Sequence, residues 1–162
     1  MKSSRLLTIC GVAVVLGLGL AGAIVPGCAS SKGEGGPVEG GFTGSSWRLA
    51  SYNNGTGGAV PVLADTDISV TFGEDGNLAG LAGCNSYWGI YTTDGDQLSL
   101  GSVGSTQLFC AQPPGILEQE EAYLKALRDA ATFKITGETL ELRSNDGSLL
   151  ASFDAWKLPP GG

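Results

Sequence analysis

Gly80-Leu81-Ala82-Gly83-Cys84-Asn85-Ser86-Tyr87-Trp88-Gly89-Ile90-Tyr91 is the stretch around which the chain folds. It reads as one glycine-bent strand that carries half of a disulfide. Gly80 and Gly83 weaken a regular strand and predict a bulge or a close backbone approach. Beyond them the period of two places Asn85, Tyr87, Gly89 and Tyr91 on one face and Ser86, Trp88 and Ile90 on the other. Trp88 is expected in the core. Asn85, Tyr87 and Tyr91 share a face and are the candidate binding residues. The competing reading makes the two tyrosines core filling and Asn85 a backbone cap.

Working outward, alternation predicts strands over Ser46–Tyr52, with Trp47 and Leu49 on one side, and over Asp67–Phe72, with Ile68, Val70 and Phe72 inward. Asn53 to Ala64 reads as a long loop. Glu74-Asp75-Gly76-Asn77 and Asp94-Gly95-Asp96 read as turns. Gln97–Leu100 is a short strand, and Val103 to Phe109 continues extended to Cys110. Pro113-Pro114-Gly115 then precedes a helix from Ile116 to about Ala131, with early acids and late bases that suit its macrodipole. Glu121 and Lys125 form an expected i,i+4 pair. Leu117, Tyr123, Leu124, Leu127, Ala130 and Ala131 are its expected apolar face. Thr132–Thr136, Thr139–Arg143 and Leu149–Trp156 close the domain. The fold class is α+β: an antiparallel β-meander or half-closed barrel of about eight strands with one inserted α-helix.

The N-terminus reads differently. Lys2 and Arg5 precede an apolar run from Leu6 to Ile24, and Val25-Pro26-Gly27-Cys28 follows, the layout of a signal peptide. Cys28 after a small residue resembles the lipobox of bacterial lipoproteins, from which Pro26 departs. That resemblance implies cleavage before Cys28, a thioether-linked diacylglycerol on it and acylation of its new amino group. An uncleaved signal anchor or a plain secreted protein are the alternatives. Two or more acyl chains make an anchor firm. Ala29 in place of aspartate implies, by resemblance to sorting rules, the periplasmic side of the outer membrane in a two-membrane cell. The expected organisation is 1–27 signal peptide, 28–44 lipidated cysteine and glycine-rich tether, 45–158 folded domain and 159–162 tail.

Four cysteines are present. Cys10 leaves with the signal, and Cys28 takes the lipid. Cys84 and Cys110 remain, in an exported and oxidising setting that favours a disulfide. Such a bond closes a loop of about 27 residues, worth roughly 3.5 kcal/mol in the chain-entropy model. The alternative is a zinc or redox pair, for which two cysteines without histidine at this separation are a poor basis.

Gly83-Cys84-Asn85-Ser86-Tyr87-Trp88-Gly89-Ile90-Tyr91 resembles the GCN-x-[YF]-x-G-x-Y signature of the META domain, also called HslJ-like. Thr106-Gln107-Leu108-Phe109-Cys110 is similar to that family's T-x-M-A-C segment, with Leu108-Phe109 replacing Met-Ala. Trp47-Arg48-Leu49, the Glu121–Leu127 helix and the closing strands also fit, so the resemblance spans nearly all of Ser45 to Phe153. It implies an exported or lipid-anchored bacterial protein, associated in some members with heat shock or antibiotic tolerance. It implies no reaction.

Net charge is −7 and histidine is absent. Nothing in such a chain neutralises phosphates, so no nucleic-acid partner is expected. No Gly-x-Ser-x-Gly, phosphate loop or metal-ligand cluster appears, and no enzyme activity and no cofactor are expected. Asp65-Thr66-Asp67 and Asp94-Gly95-Asp96 read as solvated turns. The leading expectation is a non-enzymatic, lipid-anchored cell-envelope protein, a binding or stress-tolerance module. It meets the membrane through Cys28 and an envelope protein through its sheet or loops. A carrier of a small hydrophobic ligand in a half-closed barrel, or an inhibitor of a secreted hydrolase acting through Asn53–Ala64, are the alternatives.

Overall fold

The computed structural model describes residues 41–156. The alternation becomes ten strands and one helix: β1 (Ser45–Asn53), β2 (Ala59–Pro61), β3 (Ile68–Phe72), β4 (Asn77–Ala82), β5 (Ser86–Asp94), β6 (Gln97–Leu100), β7 (Gly104–Ser105), α1 (Ile116–Arg128), β8 (Thr132–Thr136), β9 (Thr139–Arg143) and β10 (Leu149–Ala155). Eight of the strands form a closed antiparallel barrel in the order β1-β3-β4-β5-β6-β8-β9-β10, with β10 returning to β1. The expected α+β antiparallel meander of about eight strands with one inserted helix is the fold, and its barrel closes fully. Closure is possible because β1 is nine residues long and offers both edges. Ser45–Arg48 bond β3 along one edge, and Trp47–Tyr52 bond β10 along the other. Pairing β10 to β1 removes the edges an open sheet exposes.

The two remaining strands are short continuations. β2 takes over the β3 edge of β1 at Ser51–Asn53, inside the stretch expected to be loop. β7 takes over the β6 edge of β5 at Tyr87 and Trp88. Only Gly104–Ser105 of the expected 103–109 extension pairs as strand.

The organising stretch is a hairpin, not one bent strand. Leu81 faces Ser86, Ala79 faces Trp88 and Asn77 faces Ile90 across β4 and β5. The reversal is made at Gly83, whose φ of 104° is open to glycine and strained for other residues. The Ala82 N–H closes it on the Asn85 carbonyl at 2.8 Å. Gly80 marks the close approach expected of it: a Cβ there would stand 1.9 Å from the Ser69 carbonyl oxygen.

The barrel interior is filled by large side chains, among them Trp47, Phe72, Tyr87, Tyr123 and Phe153, all nearly inaccessible to water. α1 packs on β1, β10 and β4. Its inward stripe is Ile116, Gln119, Glu120, Tyr123, Leu124 and Leu127, a helical repeat that includes two polar residues. The helix stops at Arg128, before the expected Ala131, because the Ala131 carbonyl accepts the Leu98 N–H and joins the β6–β8 seam. Lys125 pairs with Asp129 and not with the expected Glu121. Near the other end of β3, Phe42 stacks on Phe133 at 3.9 Å and lies 4.1 Å from the Phe72 ring centroid. Phe42 falls in the stretch read as tether, so the packed structure begins before Ser45. The expected signal peptide, Cys28 and the tail 159–162 lie outside the described residues. Among the described residues no helix is long and apolar enough to cross a membrane.

Candidate functional site

Asn85 is the last residue of the β4–β5 turn, and its side chain is buried. Its Oδ1 accepts the Thr106 hydroxyl and the Leu108 N–H, each at 2.7 Å. Its Nδ2 donates to the Leu108 carbonyl at 3.3 Å and to Glu120 Oε1 at 2.8 Å. Glu120 Oε2 also accepts the Asn85 backbone N–H at 2.8 Å. One amide thereby joins the hairpin, the 106–108 segment and α1. The buried Glu120 carboxylate is held by two N–H donors, the arrangement a buried charge requires.

One residue before this amide, Cys84 is bonded to Cys110, with Cα atoms 5.9 Å apart. The segment 106–110 is thus held at its start by Asn85 and at its end by the disulfide. Leu108, whose backbone is itself bonded to Asn85, and Phe109 beside it carry side chains exposed to 63% and 81%. A tethered backbone with two large apolar side chains in water is the reverse of the usual economy, in which exposed loops are polar.

Further apolar surface lies on the outer face of the hairpin. Trp88 is 53% exposed, and Ile90 and Leu81 are exposed beside it. Trp88 was expected in the core; the barrel turns it outward. Gly104 leaves room for its indole, since a Cβ there would come within 3.2 Å of the ring nitrogen. Charge is scarce here in an acidic chain: Asn77–Thr93 and Gln97–Leu117 contain no Asp, Glu, Lys or Arg. Between the 105–109 segment and α1 runs an open groove of about 350 Å³, lined by Leu108, Phe109, Leu117, Glu121, Leu124 and Arg128 among others.

The candidate binding residues Asn85, Tyr87 and Tyr91 are all buried and do not form a contact surface. They sit on the inner face because each tyrosine hydroxyl finds an acceptor there. Tyr87 donates to the Ser69 carbonyl at 2.9 Å and meets the Tyr123 hydroxyl at 2.7 Å. Tyr91 donates to the Gly73 carbonyl at 2.7 Å. Burial, with Tyr123 alongside, holds the Tyr87 hydroxyl well above the ordinary tyrosine range. Burial pushes Tyr123 upward as well. Asn85 is the backbone cap of the competing reading, and its partners are now specified.

Sequence reasoning missed Glu120 and Gln119. Gln119 Oε1 accepts the Leu63 N–H at 2.7 Å, and Nε2 donates to the Thr66 hydroxyl at 3.1 Å, tying the 62–66 loop to α1. The signal was available: both lie at helical spacing from Tyr123 and Leu127, on the stripe that must face inward. Among the described residues no group of three or more cysteine or carboxylate side chains is arranged to hold a metal ion.

A model of the family described as META domain matches residues 41–156. An NMR structure of a protein from Burkholderia xenovorans is 27% identical, with a TM-score of 0.58 over 72% of this chain and 85% of that one. A second protein solved by NMR, 23% identical, superposes with a TM-score of 0.51 over 68% of this chain and 88% of its own, a likeness of fold. No curated protein matches the sequence.

Proposed function

The chain belongs to the META-domain family, and from that premise we propose that it is a non-enzymatic binding module of the cell envelope, tethered by lipid on Cys28, that engages its partner through Leu108 and Phe109. The observation that carries this reading is Phe109, 81% exposed on a segment held by a disulfide on one side and by Asn85 on the other. Large apolar anchors on a rigid support are what binding hot spots are made of, because little conformational entropy is lost when they dock. The uncharged stretch Gln97–Leu117 in which they lie lowers the desolvation cost of a contact. The tether rests on the N-terminal pattern of Lys2, Arg5, the apolar run and Gly27-Cys28.

A carrier of hydrophobic ligands needs interior room, and aromatic and aliphatic side chains occupy the barrel interior. The groove beside α1 is open to solvent and does not favour that reading. The Asn53–Ala64 loop of the inhibitor reading is partly drawn into β2, which shortens what can protrude.

A photoreactive phenylalanine analogue at position 109, introduced into the full chain in its native membrane, tests the site. The expected result is a discrete adduct that disappears when the probe is moved to exposed Thr71 on the outer face of β3. Equal labelling from both positions removes the support for a site at Phe109. Intact mass of the membrane-extracted chain tests the tether, with an acylated species beginning at Cys28 expected and an unlipidated mass contradicting it.

A further inference from the structure

The face that carries Phe109 is self-complementary, and we propose that its partner is a second copy of this chain, joined about a two-fold axis along the outer surface of α1. The inference rests on the reading of the 106–110 segment as a binding site and names what that site binds.

Leu117, Glu121, Leu124 and Arg128 all line the groove. Their spacing of four, three and four runs along one side of α1, where Leu124 is already packed on the barrel and Leu117 is half-buried, so Glu121 and Arg128 are the solvent-facing members of the row. Glu121 and Arg128 are exposed, and neither enters an ion pair among the described residues, where Lys125 has turned away to Asp129. Seven residues separate the two charges, about 10.5 Å along the axis at 1.5 Å per residue. Leu124 lies midway between them.

This arrangement suits an antiparallel copy of itself. A two-fold axis near Leu124 brings Glu121 of each chain to Arg128 of the other, so one sequence supplies both halves of both pairs. Leu108 and Phe109, the opposite wall of the groove, leave water in the same step. The net charge of −7 opposes self-association in general. On this face the opposition is lessened, because Arg128 offsets Glu121, Glu120 is held by Asn85, and the adjoining Gln97–Leu117 segment carries no charge.

The test is sedimentation of the full-length chain in density-matched detergent over a concentration series. A monomer–dimer equilibrium is expected. Phe109→Ser weakens it at least about tenfold, since the loss is felt twice in a symmetric contact. Glu121→Arg and Arg128→Glu each weaken it by about tenfold, replacing attraction with like-charge repulsion at both pairs. The double variant Glu121→Arg/Arg128→Glu restores the wild-type constant. All three positions are exposed, and unchanged thermal midpoints verify that each variant is folded.

A monomer at every concentration overturns the second copy as partner. So does a double swap that fails to rescue. The photoreactive probe at 109 separates this failure from that of the underlying reading. An adduct with another protein or with lipid on a monomeric chain overturns the dimer and leaves the binding site standing. A monomer with no adduct overturns both.

Discussion

Asn85 bears more of this structure than any other polar side chain, because both ends of one amide are used in a buried place. Replacing it with alanine strands the Leu108 N–H and one oxygen of Glu120, each in a poorly solvated position. Asn85→Ala is expected to lower stability by about 2–3 kcal/mol, measured by denaturant unfolding at constant m-value. Asn85→Asp removes the donor to Glu120 and sets a second carboxylate against it, so it is expected to be the worse variant at neutral pH and to recover on acidification. Gly80 tests a different kind of constraint. A Cβ there meets the Ser69 carbonyl at 1.9 Å and the Tyr87 hydroxyl at 2.8 Å. Gly80→Ala is expected to cost about 3 kcal/mol or more, through backbone displacement at a hydrogen-bond acceptor. At this scale the sequence was only half legible. The period of two separates Tyr87 from Trp88 but does not say which faces inward. Hydrophobicity favours burying tryptophan; acceptors at Ser69 and Gly73, contributed by a different strand and its following turn, decide for the tyrosines.

At the level of elements, the hairpin, α1 and the 106–110 segment depend on one another. The disulfide closes the chain between Cys84 and Cys110, 26 residues apart. The double replacement of both cysteines by serine is expected to lose roughly 3.5 kcal/mol if the bond acts through the unfolded chain. Calorimetry of that variant against the oxidised protein checks this, and equal midpoints contradict it. Strand positions were readable because alternation survives in β3, β5 and β9. The β4–β5 reversal was not, since Gly83-Cys84-Asn85 lacks the Asn-Gly or Asp-Gly signal of a two-residue turn. The polar residues of α1 were hidden by an assumption that an inward stripe is apolar. Gln119 and Glu120 show that a helix crossing strand ends and loops must also satisfy backbone donors there.

The described residues form a barrel with aromatic packing toward both ends. Tyr123 and Tyr87 meet where α1 crosses, and Phe42 fills against Phe72 and Phe133 at the far side. Phe42→Ala is expected to destabilise the protein by about 3–5 kcal/mol, the cost of an emptied aromatic site. A residue belonging to a tether changes nothing in the same thermal unfolding measurement. The sequence hid Phe42 because a single aromatic among glycines has no periodicity to declare it. The two coupled tyrosines set an alkaline limit. Their hydroxyls stay protonated in the folded protein above the ordinary value of 10.0, while the unfolded chain releases those protons. Stability is therefore fully present below about pH 10 and falls as pH rises beyond it. Tyrosinate absorbance is expected to show Tyr87 and Tyr123 ionising only as the barrel unfolds.

The central claim is that the fold holds Leu108 and Phe109 rigidly in water, and backbone amide relaxation across residues 106–110 measures it. Order parameters of about 0.85 are expected in the oxidised protein, equal to the barrel strands, and values below about 0.6 for the Asn85→Ala protein with its disulfide reduced. A segment as mobile in the native protein as in that variant contradicts the claim.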